Sequence, residues 1–103
     1  MLEIEKMKYV RSSAVVSRLI ADETLVVPIR GGVGDLDSIY SFNPVGSDIW
    51  GLLEKEVTVE EMCAWVTEHY EVSEEQAFGD IREFLGELVG SGLVSPVSET
   101  EVV

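Results

Sequence analysis

Cysteine occurs once, at Cys63, and histidine once, at His69. A lone thiol cannot close an internal disulfide, and a lone thiol with a lone imidazole cannot build a zinc cluster, so neither staple is available to this chain. Basic residues are scarce too: 7 Lys plus Arg stand against 20 Asp plus Glu, a formal net charge of −13. A field of that sign repels phosphate backbones and anionic lipid, which argues against nucleic acid and against a membrane surface as partners. It suits solubility, and it can attract a basic peptide or protein. Long hydrophobic runs are also missing. No stretch approaches the roughly 20 apolar residues of a membrane span, and the opening MLEIEKMKYV breaks its apolar residues with charge where a signal peptide would keep them together. These absences lead us to expect a cytoplasmic protein.

What is present is a small core. Hydrophobic residues make up 46% of the 103 positions, enough for one domain to fold without metal or disulfide but too little to enclose a large buried active site as well. Residues 1–13 have no clean period and read as a flexible lead-in, residues 14–97 as a single domain, and 98–103 (SETEVV) as an acidic mobile tail. No repeat or linker divides the chain. Two β-rich runs, Ala14–Ile20 and Thr24–Arg30, flank Ala21-Asp22-Glu23, a connection of hairpin length. In the second run Leu25, Val27 and Ile29 form a consistently apolar face and Val26, Pro28 and Arg30 a mixed one. Pro28 cannot donate to a ladder, which places it at an edge, a bulge or the non-bonded side. GGVGD (Gly31–Asp35) supplies a loop rather than a phosphate cradle, because no Lys-Ser/Thr follows it and the next run is a strand, Ser38–Phe42, with Ser38, Tyr40 and Phe42 on one side.

Three helices account for the rest, and each has a legible start. Asn43 caps the first with Pro44 in its first turn, and Val45, Ile49, Leu52 and Leu53 line one face. Thr58 and Glu61 form a capping box for the second, with Val59, Met62, Cys63, Val66 and Tyr70 as its inner stripe. Ser73 and Gln76 open the third, which runs to the glycines at 90 and 92. That helix has two adjacent apolar stripes, Ala77/Ile81/Phe84/Leu88 and Phe78/Leu85/Val89, so it faces the core and offers a second surface to the sheet or to a partner. Leu93–Val97 adds a short extended segment. The order β-β-β-α-α-α is an α+β arrangement, a small sheet on a three-helix unit that contains a helix-turn-helix-like pair.

Catalysis finds little support in these residues. Cys63 and His69 lie six positions apart on one helix, where their side chains diverge and cannot form a nucleophile–base pair. The carboxylate runs, Glu60-Glu61, Glu74-Glu75 and Asp80/Glu83/Glu87, have the spacing of solvated helix faces and favourable first turns. A DNA-reading helix-turn-helix would set the third helix into the major groove, yet that helix carries Glu74, Glu75, Asp80, Glu83 and Glu87 against a lone Arg82.

The stretch from LVVPIR through DSIYSFNPVGSDIWGLLE, TVEEM and DIREFLGEL to GLV, about Leu25 to Val94, resembles the PqqD family. That family comprises the peptide chaperones of pyrroloquinoline quinone biosynthesis and the wider class of recognition elements for ribosomally made, modified precursor peptides. The resemblance implies a three-stranded antiparallel sheet packed on a three-helix, winged helix-turn-helix-like unit. It also implies a non-catalytic protein without cofactor, whose partners are a precursor's leader peptide, added as a strand, and a modifying enzyme, often a radical SAM enzyme. On this basis the peptide site is expected along Ser38, Ile39, Tyr40, Ser41 and Phe42, facing Phe78, Ile81, Arg82 and Leu85, with Arg82 free to meet an acidic side chain of the peptide. Phe42, Ile81 and Leu85 also suit a plain core, and Trp50, which with Asp80 matches the family's pattern, suits helix packing. The lead-in and the tail lie outside the resemblance, and its motifs do not separate the quinone pathway from other peptide pathways. The competing reading is a winged-helix transcriptional regulator or a general protein-interaction adaptor. An open strand edge can also pair with a second copy, so monomer and dimer are both open.

Overall fold

In the computed structural model the described residues are 7–30, 33–34 and 39–97. The first half of the expected lead-in, Gly31-Gly32, Asp35–Ser38 and the 98–103 tail lie outside them. The elements in chain order are β1 (Lys8–Arg11), β2 (Val15–Ile20), β3 (Glu23–Arg30), β4 (Val33–Gly34), β5 (Tyr40–Phe42), α1 (Pro44–Leu52), β6 (Val57–Thr58), α2 (Val59–His69), α3 (Glu74–Gly90) and β7 (Val94–Val97).

The principal sheet is built on β3. β2 pairs antiparallel along one side, from Ile20↔Glu23 to Val15↔Pro28, and β5 pairs along the other with Thr24↔Phe42, Leu25↔Ser41 and Val26↔Tyr40. The Ala21-Asp22 turn is tight enough to need a left-handed residue, which Ala21 supplies at φ 58°. β4 returns against Ile29 and Arg30, so the GGVGD segment contains a short paired strand at Val33–Gly34. The mixed face of β3 is the one turned inward: Thr24, Val26 and Pro28 are buried, whereas Leu25, Val27 and Ile29 are half-buried. The cause is that α1 and the core cluster cover that face, and coverage overrides the tidier apolar alternation on the other. Pro28 sits near the end of the β2 ladder, where the next residue, Ile29, donates the backbone bond to Ala14 O.

A second sheet, ordered β6-β1-β7, was not anticipated. Lys8–Arg11 belongs to the stretch read as a loose lead-in, yet Tyr9 is buried and β1 pairs with β6 (Tyr9↔Val57) and β7 (Tyr9↔Pro96). The backbone at the end of β1 is tied further by Arg11 N donating to Leu53 O and Ser12 N to Leu93 O. A four-residue strand has too few positions to display a period, and its partners come from distant parts of the chain, so no local pattern could announce it.

The helix boundaries follow their caps. Asn43 Oδ1 accepts from Gly46 N at 2.8 Å, with Pro44 filling the first helical position. Thr58 and Glu61 form both bonds of the capping box, at 3.0 and 2.9 Å, and Ser73 accepts from Gln76 N at 3.1 Å. α3 closes with Leu93 N bonded to Leu88 O and Gly92 N to Val89 O while Gly92 takes φ 78°, a Schellman end whose flanking Leu88 and Leu93 are both buried. The core joins Val26 and Phe42 of the sheet to Ile49, Trp50 and Leu53 from α1 and its C-cap, Met62 and Val66 of α2, and Ala77, Ile81, Leu85 and Leu88 of α3. At the rim the Tyr70 hydroxyl donates to Asp48, joining the end of α2 to α1. That bond, with burial and the charges of Asp48 and Asp22, holds the Tyr70 phenol above its usual range.

Core and cap should separate clearly in equilibrium urea unfolding. Leu53, the C-cap of α1, is fully buried in the core, so Leu53→Ala should cost about 3 kcal/mol. Asn43→Ala, which loses one cap bond at an exposed position, should cost about 1 kcal/mol. Equal costs would contradict this division of labour.

Candidate functional site

Tyr40–Phe42 is only three residues long, and among the described residues no strand pairs with its outer edge. A free edge presents unpaired N–H and C=O groups to whatever lies beside it. Beside β5 lies an open groove of about 880 Å³ between the strand, the first turns of α1 and one face of α3. Side chains alternate along the strand, with Ser41 exposed, Tyr40 half-buried and Phe42 buried beneath the groove.

The floor is aromatic. Phe42 meets Phe84 edge-on at 5.1 Å between centroids and leans on Trp50 at 5.5 Å. Gly46 makes this approach possible, since a Cβ there would stand 3.2 Å from Phe42 Cβ and 3.4 Å from Phe84 Cζ. Trp50 is held from behind: the Arg11 guanidinium lies 5.0 Å from its ring centroid and donates to its carbonyl at 3.0 Å. Val45, Ile49 and Leu88 complete the apolar lining. The far wall is of another character, because Asp80, Glu83 and Glu87 line it from α3, and among the described residues no lysine or arginine does.

Residues 23–94 match the family described as Coenzyme PQQ synthesis protein D (PqqD). The chain belongs to the PqqD family. It is also similar to a solved structure described as "TbiB1 in Complex with the TbiA(beta) Leader Peptide", with 30% identity, a TM-score of 0.74, and coverage of 87% of this chain and 99% of that one. A comparison with curated proteins gave no match. In this PqqD-family chain the family match runs from the first residue of β3 to the first of β7, and so contains every wall of the groove. The α+β fold expected from sequence is present, with the β6-β1-β7 sheet added to it.

The expected site residues divide. Tyr40, Ser41 and Phe42 line the groove, Ile39 precedes them half-exposed, and Ser38 lies outside the described residues. None of the four α3 residues lines it. Ile81 and Leu85 are core. Phe78 faces a separate concavity against α2 with Cys63, Thr67 and Glu74, and Arg82 stacks over its ring at 5.4 Å. Arg82 and Leu85 border a depression of about 650 Å³ with Tyr9, Val89 and Pro96, on the other side of the helix. The α3 residues that line the groove beside β5 are rotated about the helix axis from the expected ones: Asp80, Phe84, Glu87 and Leu88. The signal lay in the stripe containing Phe84 and Leu88, which reads as core because periodicity alone does not say which flank a sheet will cover.

The chain's one cysteine and one histidine both lie away from the groove. Cys63 is across the helix pair, and burial together with the nearby Glu74 charge pushes its thiol up, away from the thiolate. His69 stacks on Trp65 at 3.9 Å, with Nδ1–H donating to the Trp65 carbonyl. Among the described residues no group of three His, Cys, Asp or Glu could hold a metal ion, and no helix is long and apolar enough to cross a membrane.

Two glycines of α1 test the floor's geometry. Gly51 has open space at its Cβ position, so Gly51→Ala should stabilise the protein, by up to about 1 kcal/mol in thermal or urea unfolding. Gly46→Ala gains the same propensity but crowds Phe42 and Phe84, so it should stabilise less or destabilise. Equal stabilisation by both would show that the floor is loose.

Proposed function

We propose that this protein is a non-catalytic recognition element that takes the leader of a ribosomally synthesised precursor peptide as an added strand on β5 and presents it to a modifying enzyme. The observation that carries this reading is the free edge of Tyr40–Phe42 beside an apolar-floored groove, in a fold similar to one solved with a leader peptide bound. Main-chain bonds to an edge strand give affinity that tolerates sequence change, and pockets beside it select alternate side chains. Asn43-Pro44 ends the strand sharply and turns the chain into α1, so the helices rise beside the edge instead of covering it.

The modifying enzyme acts on the part of the precursor outside the groove. A radical SAM enzyme, as in much of the family, and a cytoplasmic setting belong to this proposal. A regulator that reads duplex DNA is disfavoured by charge, because Glu74, Glu75, Asp80, Glu83 and Glu87 are all exposed on α3.

The test is affinity capture from the native cell extract with small peptides retained, then amide hydrogen exchange on the captured complex. We expect a short precursor and a modifying enzyme by mass spectrometry, with exchange slowed at Tyr40–Phe42. Capture of DNA, or of a peptide that leaves those amides unprotected, would overturn the proposal.

A further inference from the structure

The groove has one feature that strand addition does not require. A backbone-templated site works with neutral walls, yet here successive turns of α3 set Asp80, Glu83 and Glu87 along the groove, all exposed, together with Phe84 and Leu88. The basic residue expected to read the peptide, Arg82, stacks on Phe78 on the other side of the helix. The charge lining the groove is therefore opposite in sign to that expected from the sequence.

Building on the peptide-binding proposal, we infer that the peptide accepted by this groove is basic, with Lys or Arg two residues to one or both sides of an apolar anchor, and that Asp80, Glu83 and Glu87 determine this preference. The spacing supports it. From residue 80 to 87 the helix rises about 10 Å. Side chains on one face of an added strand repeat about every 6.7 Å, so one or two positions next to the anchor come within reach of the wall. The anchor rests on the Phe42–Phe84 floor and on Leu88. Long Lys or Arg stems can lie along Phe84 and Val45 while their heads reach the carboxylates, which keeps all the charges partly in water and avoids the cost of full desolvation.

Alternating apolar and basic residues would also be drawn in by the chain's overall charge of −13, so attraction acts on the encounter as well as on the bound state. An acidic strand would instead meet like charges over the whole length of the wall. The preference thus works as exclusion too, which the sequence-tolerant backbone bonds cannot supply.

The test uses the full chain and a random 12-residue peptide display library. Enriched peptides are synthesised and their binding measured by fluorescence anisotropy at low and high salt, against the parent and against the Asp80→Asn/Glu83→Gln/Glu87→Gln variant. Amide exchange at Tyr40–Phe42 is followed in each complex. We expect enriched peptides to carry Lys or Arg two residues from an apolar residue, to slow exchange at Tyr40–Phe42, and to bind the variant and the high-salt parent about tenfold more weakly. Peptides that protect Tyr40–Phe42 but lack basic residues, or bind the triple variant as well as the parent, would overturn the charge preference and leave peptide binding standing. If no enriched peptide protects those amides, peptide binding at β5 fails and the preference fails with it. Should the triple variant not fold by circular dichroism, the single variants Asp80→Asn and Glu87→Gln and the salt dependence of the parent decide the same question.

Discussion

The corner at Phe42-Asn43-Pro44 is the constraint on which the rest of the structure depends. Phe42 is the last residue of β5, paired to Thr24 on one side and buried against Trp50 and Phe84. One residue later Asn43 caps α1, and proline holds the backbone dihedral the first turn needs. Because the strand ends this abruptly, α1 leaves the sheet at once and Gly46 packs between Phe42 Cβ and the tip of the Phe84 ring. Among the described residues no strand covers the outer edge of β5, and α3 stands across from it with a groove between. A longer strand or a gradual turn would lay the chain over its own edge and close the groove.

Much of this was legible in the sequence, and for identifiable reasons. The caps at Asn43, Thr58 and Ser73 were readable because a capping interaction is local: acceptor and donor are three residues apart and no distant partner is needed. Three of the four strands of the principal sheet, β2, β3 and β5, were readable from alternation and from the punctuation at Ala21-Asp22 and Asn43-Pro44. The order of the motifs from Leu25 to Val94 carried the family resemblance, which the match over residues 23–94 bears out.

The parts that were not legible depend on long-range choices. Lys8–Arg11 becomes a strand only because Val57–Thr58 and Val94–Val97 are brought beside it. The buried face of β3 is chosen by what covers it, so the mixed Thr24/Val26/Pro28 face wins over the more uniform one. The same ambiguity rotated the α3 assignment: a helix with two adjacent apolar stripes fits either flank, and only the position of β5 makes Phe84 a groove residue and Leu85 a core residue. With it the charge beside β5 differs from the expected one, since carboxylates line the groove and Arg82 borders another depression.

Scaffold and specificity are thus separated in this chain. The second sheet, the Schellman end of α3 and the Tyr70–Asp48 bond hold the helices in place, while the short strand and one face of α3 are the surfaces that the proposed function assigns to the peptide. The most direct measurement of the central claim is isotope-filtered NMR of the protein with a captured precursor leader, read for cross-strand contacts. We expect backbone contacts between the peptide and Tyr40, Ser41 and Phe42 in the pattern of an added strand, with side-chain contacts to Phe84. Contacts confined to Tyr9, Leu85 and Pro96 on the other side of α3 would contradict it.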